Sequence, residues 1–583
     1  MHTCNILTRN YSSWTYTPPD ERLTGPLSYR LFDGDVFTID DEEGKQITVV
    51  ESVIRKDKNI PGILLLENNR TYGRTDNNKR LYYKCKPNNP QIPCFLVAYD
   101  ISVGFNKSYT NKYVTFSYHH WTDKHPVGVL SQNLGDVYNL PSFNEYQLYC
   151  KQLQTSIKPA VSATTDALRL RTVGSYQTEI LENPTRYGSM VNLINDNLYI
   201  FTVDPPGCED RDDALSIISS SNGEISEHVV TVHIANVWVW IEALGLADHL
   251  RSGSRVSTIY FPEMKRHMLP IPIGEELCSL DERNVRFTFS MDFMVIDHPK
   301  KGVYIQYLDS IRPTLYQSVI QVSKNFVYEE PALLENTDYN ALKRLTRKLD
   351  KTVSNSHDLV AFWMIQMNRY TAKHMKAERF GIFRTVQSKN SGADLDDDDG
   401  TPKLVVRAWE QYLAGEYVVY SNKNKGQNLA HHALGLSEYV HMTSPIRRMV
   451  DLLNQIAWVK YHIKEVQLSD SLTNFYEYQI GNMPELNEKM KKIRRIQSDA
   501  HILSVVVNDP NILSRDFTGI LLEKRGNNNH SPKSAIYIEE LKWITYCKIP
   551  EAMNLNETVS CKLFVFNNEE QMKKKIRIQI ISP

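Results

Sequence analysis

The stretch VDPPGCEDRDDALS, Val203–Ser216, crowds Asp204, Glu209, Asp210, Asp212 and Asp213 into ten residues. It follows the apolar run YIFTV and leads into ALSII, so the acids lie between two segments whose pattern predicts buried strands. Carboxylates this close raise one another's pKa unless water surrounds them or a cation neutralises them. Three readings compete. A calcium loop of EF-hand type needs acids at positions one, three and five and glycine at six. Counted from Asp210, position five is Ala214 and six is Leu215, which excludes it. A solvated turn is the plain alternative, disfavoured by the apolar flanks. A hard-cation site fits better: Mg²⁺ takes oxygen ligands, and two such ions can hold the attacking and leaving oxygens of a phosphodiester displacement.

Such a site needs a phosphate-holding group, and HMTSPIRRMVDLL, His441–Leu453, supplies one. Thr443 or Ser444 can cap a helix with Pro445 at its first position, which would gather backbone N–H groups, Arg447 and Arg448 at one end. Ion pairing of these arginines with acids such as Asp451 is the alternative.

Length and composition bound the rest. At 583 residues the chain is too long for one core and suggests about three or four domains. Its 41% hydrophobic and 23% charged content is that of a soluble globular protein. With a net charge of -1, positive charge for any polyanionic partner must be concentrated locally. Eight scattered cysteines without a CxxC pair argue against a zinc knuckle or disulfide framework and for a reducing compartment. The N-terminus shows no secretory pattern. The most apolar window, Val229–Ala247, is interrupted by His233, Asn236 and Glu242 and predicts a strand followed by a helix, not a membrane span.

The fold class expected is multidomain α+β, with a central α+β domain flanked by small β-barrels. Residues 1–59 read as a polar arm with a degenerate barrel, and 60–155 as a barrel of short strands ending in the helical NEYQLYCKQLQTSI. A linker is expected over 156–189, the central domain over 190–515 and a last barrel over 516–583. Within the central domain, His357–Phe380 and Ser444–His462 have helical spacing, the second with Ile446, Val450, Leu453 and Ala457 on one stripe. The acidic run SGADLDDDDGTP, Ser391–Pro402, reads as a solvated loop. The basic KMKKIRRIQ, Lys489–Gln497, reads as one face of a helix, either solvated or facing RNA.

VDPPGCEDRDDALS and HMTSPIRRMVDLL together resemble the two signature motifs of the ribonuclease II/ribonuclease R (RNB-domain) exoribonucleases, the first looking closest to the catalytic exonuclease subunit of the eukaryotic exosome. VHIANVW is similar to the family's HIADVS, Ser257–Ser290 to its stretch from TxVYL to RxAFS, and HHALGLSEYVH to its lead into TSPIRR. Upstream, His119–Tyr149 resembles the end of the second cold-shock barrel in the exosome-type branch, so the likeness covers about 60–583.

The resemblance implies a processive 3'→5' exoribonuclease that hydrolyses single-stranded RNA to nucleoside 5'-monophosphates. Cold-shock-like and S1-like OB barrels would flank its RNB domain. It implies that Asp204, Asp210, Asp212 and Asp213 bind two Mg²⁺ ions, with Mn²⁺ as a substitute, Asp212 mattering most for cleavage. Arg447 would hold the scissile phosphate with Arg448 in support, Tyr260 would pack on the terminal nucleotides, and Phe380 would stack on bases. The sequence departs from the family at Asn236 (usually Asp), Met449 (usually Tyr) and Gln455 (commonly His), none of them a proposed metal ligand. No stretch matches the exosome subunit's endonuclease domain, which argues against docking on an exosome core. A cytoplasmic monomer without membrane attachment is expected. An inactive RNA-binding relative is the alternative, and all four acids are present against it.

Overall fold

A computed structural model describes the chain outside residues 76–79, 101–108, 195–197, 223–224, 252, 254, 307–314, 387–414, 422–427, 526–532, 550–552, 554–556, 569–572 and 583. The acidic run at 391–402 lies outside the described residues. Mixed α+β architecture holds throughout.

Of the expected arm and degenerate barrel over residues 1–59, the first 25 or so residues are not an extended arm but carry the first two strands of a sheet. Strands β1 (His2–Ile6), β2 (Trp14–Thr17), β3 (Val36–Ile39) and β4 (Ile47–Glu51) form an antiparallel sheet in the order β2-β1-β3-β4. Average polarity concealed the pattern, because Cys4, Ile6, Tyr11 and Tyr16 are buried among polar neighbours. Next come β5 (Ile60–Leu64), β6 (Leu81–Pro87), β7 (Phe95–Tyr99), β8 (Lys112–His120) and β9 (Val127–Asp136). They close into a barrel, β5-β6-β7-β9-β8, in which β7 and β9 are parallel. Cys4, Phe32 and Phe37 share one core with Leu64, Phe95 and Phe116, so apolar packing crosses the expected boundary at residue 59. The helix Leu140–Cys150 follows, capped by the Asn139 side-chain Oδ1 accepting from the Ser142 N–H.

Residues 156–189 are not a simple linker but carry helices at Lys158–Leu170, Val173–Glu182 and Pro184–Tyr187. Beyond them lies an eight-stranded sheet. Its members are β10 (Val191–Asn192), β11 (Phe201–Asp204), β12 (Asp213–Asn222), β13 (Ile225–Ala235), β16 (Val285–His298), β17 (Gly302–Ile305), β18 (Leu315–Gln321) and β19 (Lys324–Val327). The order is β10-β18-β16-β13-β12-β11-β19, with β17 on β16. Two small pairs accompany it: β14 (Ile259–Tyr260) with β15 (Lys265–Arg266), and β20 (Ile382–Thr385) with β21 (Glu416–Val419). The helix Ser356–Glu378 packs Trp363 and Tyr370 against Phe293 of β16 at ring separations of 5.4 and 5.5 Å. The helix Met449–His462 buries Val450, Leu453 and Ala457 as expected. It also buries Leu452, Ile456, Trp458 and Val459, so it is surrounded on all sides rather than amphipathic.

The final strands, β22 (Phe517–Arg525), β23 (Lys533–Ile538), β24 (Trp543–Lys548), β25 (Thr558–Asn568) and β26 (Lys573–Ser582), form an antiparallel sheet ordered β24-β23-β22-β25-β26. They belong to one compact unit with Met1–Gln154, Phe261–Glu263 and the end of the long helix Met483–Asn508, from Arg495 on. Ile576 of β26 packs on the cluster formed by Ile63, Tyr113, Tyr146 and Leu503. The other unit is Thr155–Tyr260 with Met264–Arg494. Among the described residues no helix is long and apolar enough to cross a membrane.

Candidate active site

The acidic stretch is folded by its own sequence. Pairing of β11 with β12 and β19 ends at Asp204. The chain then turns through Pro205-Pro206-Gly207-Cys208, closed by the Cys208 N–H on the Pro205 carbonyl at 3.2 Å. Pro206 suits the second position of such a turn, and Gly207, at φ +72°, supplies the left-handed third. Asp213 starts β12, so Asp204 and Asp213 stand at the ends of neighbouring strands, with Asp210 and Asp212 on the return path.

Each acid has a distinct environment. Asp210 is 5% exposed, accepts from the Tyr260 hydroxyl at 2.8 Å and lies 3.5 Å from Lys265 Nζ. Asp212 is 2% exposed; its Oδ1 accepts from the Ile446 N–H at 2.8 Å and its Oδ2 lies 3.1 Å from Arg447 Nε. Burial pushes the Asp212 carboxyl well above the usual carboxylate range, against the pull of Arg447 and the Ile446 N–H. Burial, then the charge of Asp204, pushes Asp213 up to about 7. Asp204 is also raised by burial, with Thr202 and Arg211 opposing. Burial, and then the charges of Asp204 and Asp210, pushes the Cys208 thiol up to about 12, which favours the protonated thiol beside the acids.

The structure therefore brings together Asp204, Asp210, Asp212, Asp213, Tyr260 and Arg447. Arg448 turns the other way: its Nη2 donates to Asp451 Oδ1 at 2.9 Å, and Asp451 is fully buried and also accepts from the Ser444 N–H. Ion pairing is thus realised for both arginines, Arg447 across the site and Arg448 within its own segment. The expected cap at Thr443 or Ser444 is not found. Ser444–Arg448 forms a turn in which the Ser444 carbonyl accepts from the Arg448 N–H at 3.0 Å, and the helix starts at Met449. Phe380 is 6% exposed and packed on Trp458 and Tyr461, a core position that presents no open ring face to a base.

Three contributors escaped the sequence reading. Lys265 bridges Glu209 and Asp210. Arg211, inside the acidic motif itself, pairs with Asp281 at 2.7 Å and lies 3.8 Å from Asp204. Tyr328 donates its backbone N–H to the Asp204 carbonyl, and the charges of Asp213 and Asp204 add to burial in raising its hydroxyl pKa. Lys265 follows Tyr260 by five residues in the family-like stretch, a usable signal; Tyr328 had none.

The departures from the family are structural in place. Asn236 donates to Gln317 Oε1 at 2.9 Å; Gln455 accepts from the Val237 N–H and donates to the Ala235 carbonyl, bracketing Asn236; Met449 is fully buried.

The donor set suits a hard cation. Asp204 Oδ2 and Asp212 Oδ2 are buried without a hydrogen bond, which is costly for carboxylate oxygens unless a cation faces them; here Arg211 Nε at 3.8 Å and Arg447 Nε at 3.1 Å are the facing charges. Among the described residues no three metal-ligating side chains stand as a ready cage. Arg447 provides part of the counter-charge in this arrangement.

The RNB domain model matches residues 195–352 and 332–462. Residues 195–462 are thus similar to an RNB domain. Ribonuclease R of Chlamydia pneumoniae is 25% identical over 325 residues, 44% of this chain and 46% of that protein. The exosome complex exonuclease RRP44 homolog A of Arabidopsis thaliana is 35% identical over 117 residues, 20% of this chain and 12% of that protein. The matches thus span less than half the length of these curated relatives. In fold, the chain is similar to Mycoplasma genitalium RNase R in complex with ribose methylated single-stranded RNA (TM-score 0.64, 16% identity, 99% of this chain and 100% of that one). It is also similar to yeast Ssd1, a pseudonuclease (TM-score 0.51, 14% identity, 94% and 79%).

Proposed function

We propose that this chain is a 3'→5' exoribonuclease that degrades single-stranded RNA processively to nucleoside 5'-monophosphates. The observation that carries the reading is the meeting of Arg447 and Asp212, more than two hundred residues apart, beside Asp204, Asp210 and Asp213. A phosphate-matching guanidinium and a cation-matching acid cluster share one site. Mg²⁺ or Mn²⁺ held by Asp204, Asp210, Asp212 and Asp213 would neutralise phosphate charge and lower the pKa of the attacking water. Arg447, 41% exposed, can exchange Asp212 for the scissile phosphate and offer it a planar pair of donors. Water oxygen bonds to phosphorus in line with the departing 3'-oxygen; the P–O3' bond breaks and the 3'-oxygen gains a proton. Tyr260, anchored on Asp210, would pack on the terminal nucleotide. Arg448, tied to Asp451, supports the Arg447 turn.

The order β5-β6-β7-β9-β8 with parallel β7 and β9 supports an OB-type barrel, and the last sheet an S1-like one; such modules grip single strands by stacking and backbone charge. The solved RNase R bound to single-stranded RNA supports that ligand class. A reducing, cytoplasmic setting completes the reading, supported by eight cysteines that form no disulfide.

The second reading is an inactive RNA-binding protein, favoured by the likeness to a pseudonuclease fold. Incubating 5'-labelled single-stranded RNA with the protein, with Mg²⁺ or with chelator, separates the two. Metal-dependent conversion to a short labelled end product with few intermediates is expected. Intact RNA that is nonetheless bound in a gel shift would select the inactive reading.

A further inference from the structure

A cavity of about 640 Å³ lies wholly within the unit built from the first barrel, the end of the long helix and the last sheet. It has the size of a small-molecule site. Its rim carries Lys151, Arg495, Lys574, Lys575 and Arg577 against a single carboxylate, Asp499. In a chain of net charge -1, that imbalance is a local concentration of positive charge aimed at an anion.

The interior adds a second observation. Gln147, on the helix Leu140–Cys150, is 9% exposed and lines the cavity, yet its Nε2 is buried with no hydrogen-bond partner among the described residues. Asn88, the first residue after β6, lines the same cavity with a buried, unpartnered Oδ1. A buried amide donor and a buried amide acceptor left unmatched are costly; both atoms are closed off from the cavity as it stands, so a ligand removes the cost once the two amide side chains rotate toward it. Phe143 and Trp543 contribute apolar wall.

We propose that this cavity binds a small, multiply phosphorylated ligand of nucleotide size. The phosphates lie among the rim cations and the remainder of the molecule meets Gln147 and Asn88. The site is separate from the carboxylate centre and does not rest on the exoribonuclease reading.

The test uses the full chain in chelator, so that no metal bridges phosphate to the acid cluster, and follows a fluorescent nucleoside triphosphate by anisotropy. Saturable binding is expected for the wild type and equally for Asp212→Asn. Lys574→Glu/Lys575→Glu, confined to side chains that are exposed or half-buried, should weaken it by on the order of tenfold with an unchanged melting curve. Gln147→Leu should weaken the nucleotide but not inorganic triphosphate. Triphosphate competing as well as the nucleotide, with no effect of Gln147→Leu, would retain the phosphorylated class and assign recognition to the rim alone. No saturation at millimolar nucleotide, or binding indifferent to the lysine reversals, overturns the proposal. So does displacement by single-stranded RNA far more effectively than by nucleotide, which would make the cavity part of an RNA path.

Discussion

Arg447 Nε stands 3.1 Å from Asp212 Oδ2, while the preceding residue, Ile446, donates its backbone N–H to the other oxygen of the same carboxylate at 2.8 Å. Both oxygens of Asp212 thus face the arginine turn. The two sequence motifs are locked together through one side chain.

Asp212→Asn keeps the shape and removes the charge. RNA hydrolysis should fall by about 10³-fold or more, as expected when a transition-state electrostatic group is lost. Because burial already disfavours the ionised carboxylate, the variant should melt at the same temperature as the wild type or higher. Single-turnover kinetics alongside thermal melting would show it; parallel loss of activity and stability would argue for a structural role.

The two arginines should separate in their effects. Arg447→Ala should weaken cleavage and RNA binding with little change in folding, its side chain being part-exposed. Asp451→Ala strips Arg448 and the Ser444 N–H of a fully buried acceptor and should cost about 3 kcal/mol in urea unfolding. Arg448→Lys should lie between them.

A pH effect follows from Asp213. Its folded pKa, about 7, is above the ordinary carboxylate value, so the folded state holds a proton that the unfolded state has released. The contribution to stability is full below about pH 4 and is lost as pH rises to about 7. In chelator, wild type should lose stability between pH 5 and 7.5 relative to Asp213→Asn. Added Mg²⁺ should restore more at pH 7.5 than at pH 5, because a cation favours the deprotonated acids. A wild-type-minus-variant difference independent of pH would remove Asp213 as the source.

Asn236→Asp, a change toward the family pattern, should destabilise rather than improve this chain. Gln317 Oε1 already accepts from Asn236 and from Trp238, while Gln317 Nε2 donates to the Tyr187 carbonyl. A carboxylate there meets an acceptor instead of presenting a donor, at a cost of about 2 kcal/mol. Gln317→Lys in the same background should recover part of it.

The acid cluster was legible because its residues are contiguous and its flanks apolar. Arg447 was legible because Ser-Pro-Ile-Arg-Arg is a compact motif. What the sequence concealed depends on partners distant along the chain. The helix starts at Met449 rather than behind Thr443 or Ser444, and the turn before it is tied through the Ile446 N–H to Asp212, more than two hundred residues back, a contact that no local propensity encodes. Cys4 and Ile6 looked like an arm because their partners, Phe95 and Phe116, lie about a hundred residues on. Phe380 could be a core or a stacking residue by type; Trp458 and Tyr461 decided for the core.

The packing of Ile576 against Ile63 and Tyr113 spans some 500 residues of chain. During synthesis at about 5–20 residues per second, the barrel that carries Ile63 must wait for tens of seconds with that apolar face uncovered. The central unit, complete by Arg494, can fold in the interval. The early barrel is therefore the part of the molecule most in need of a chaperone, and shortening of the last strand should betray itself as aggregation of the first.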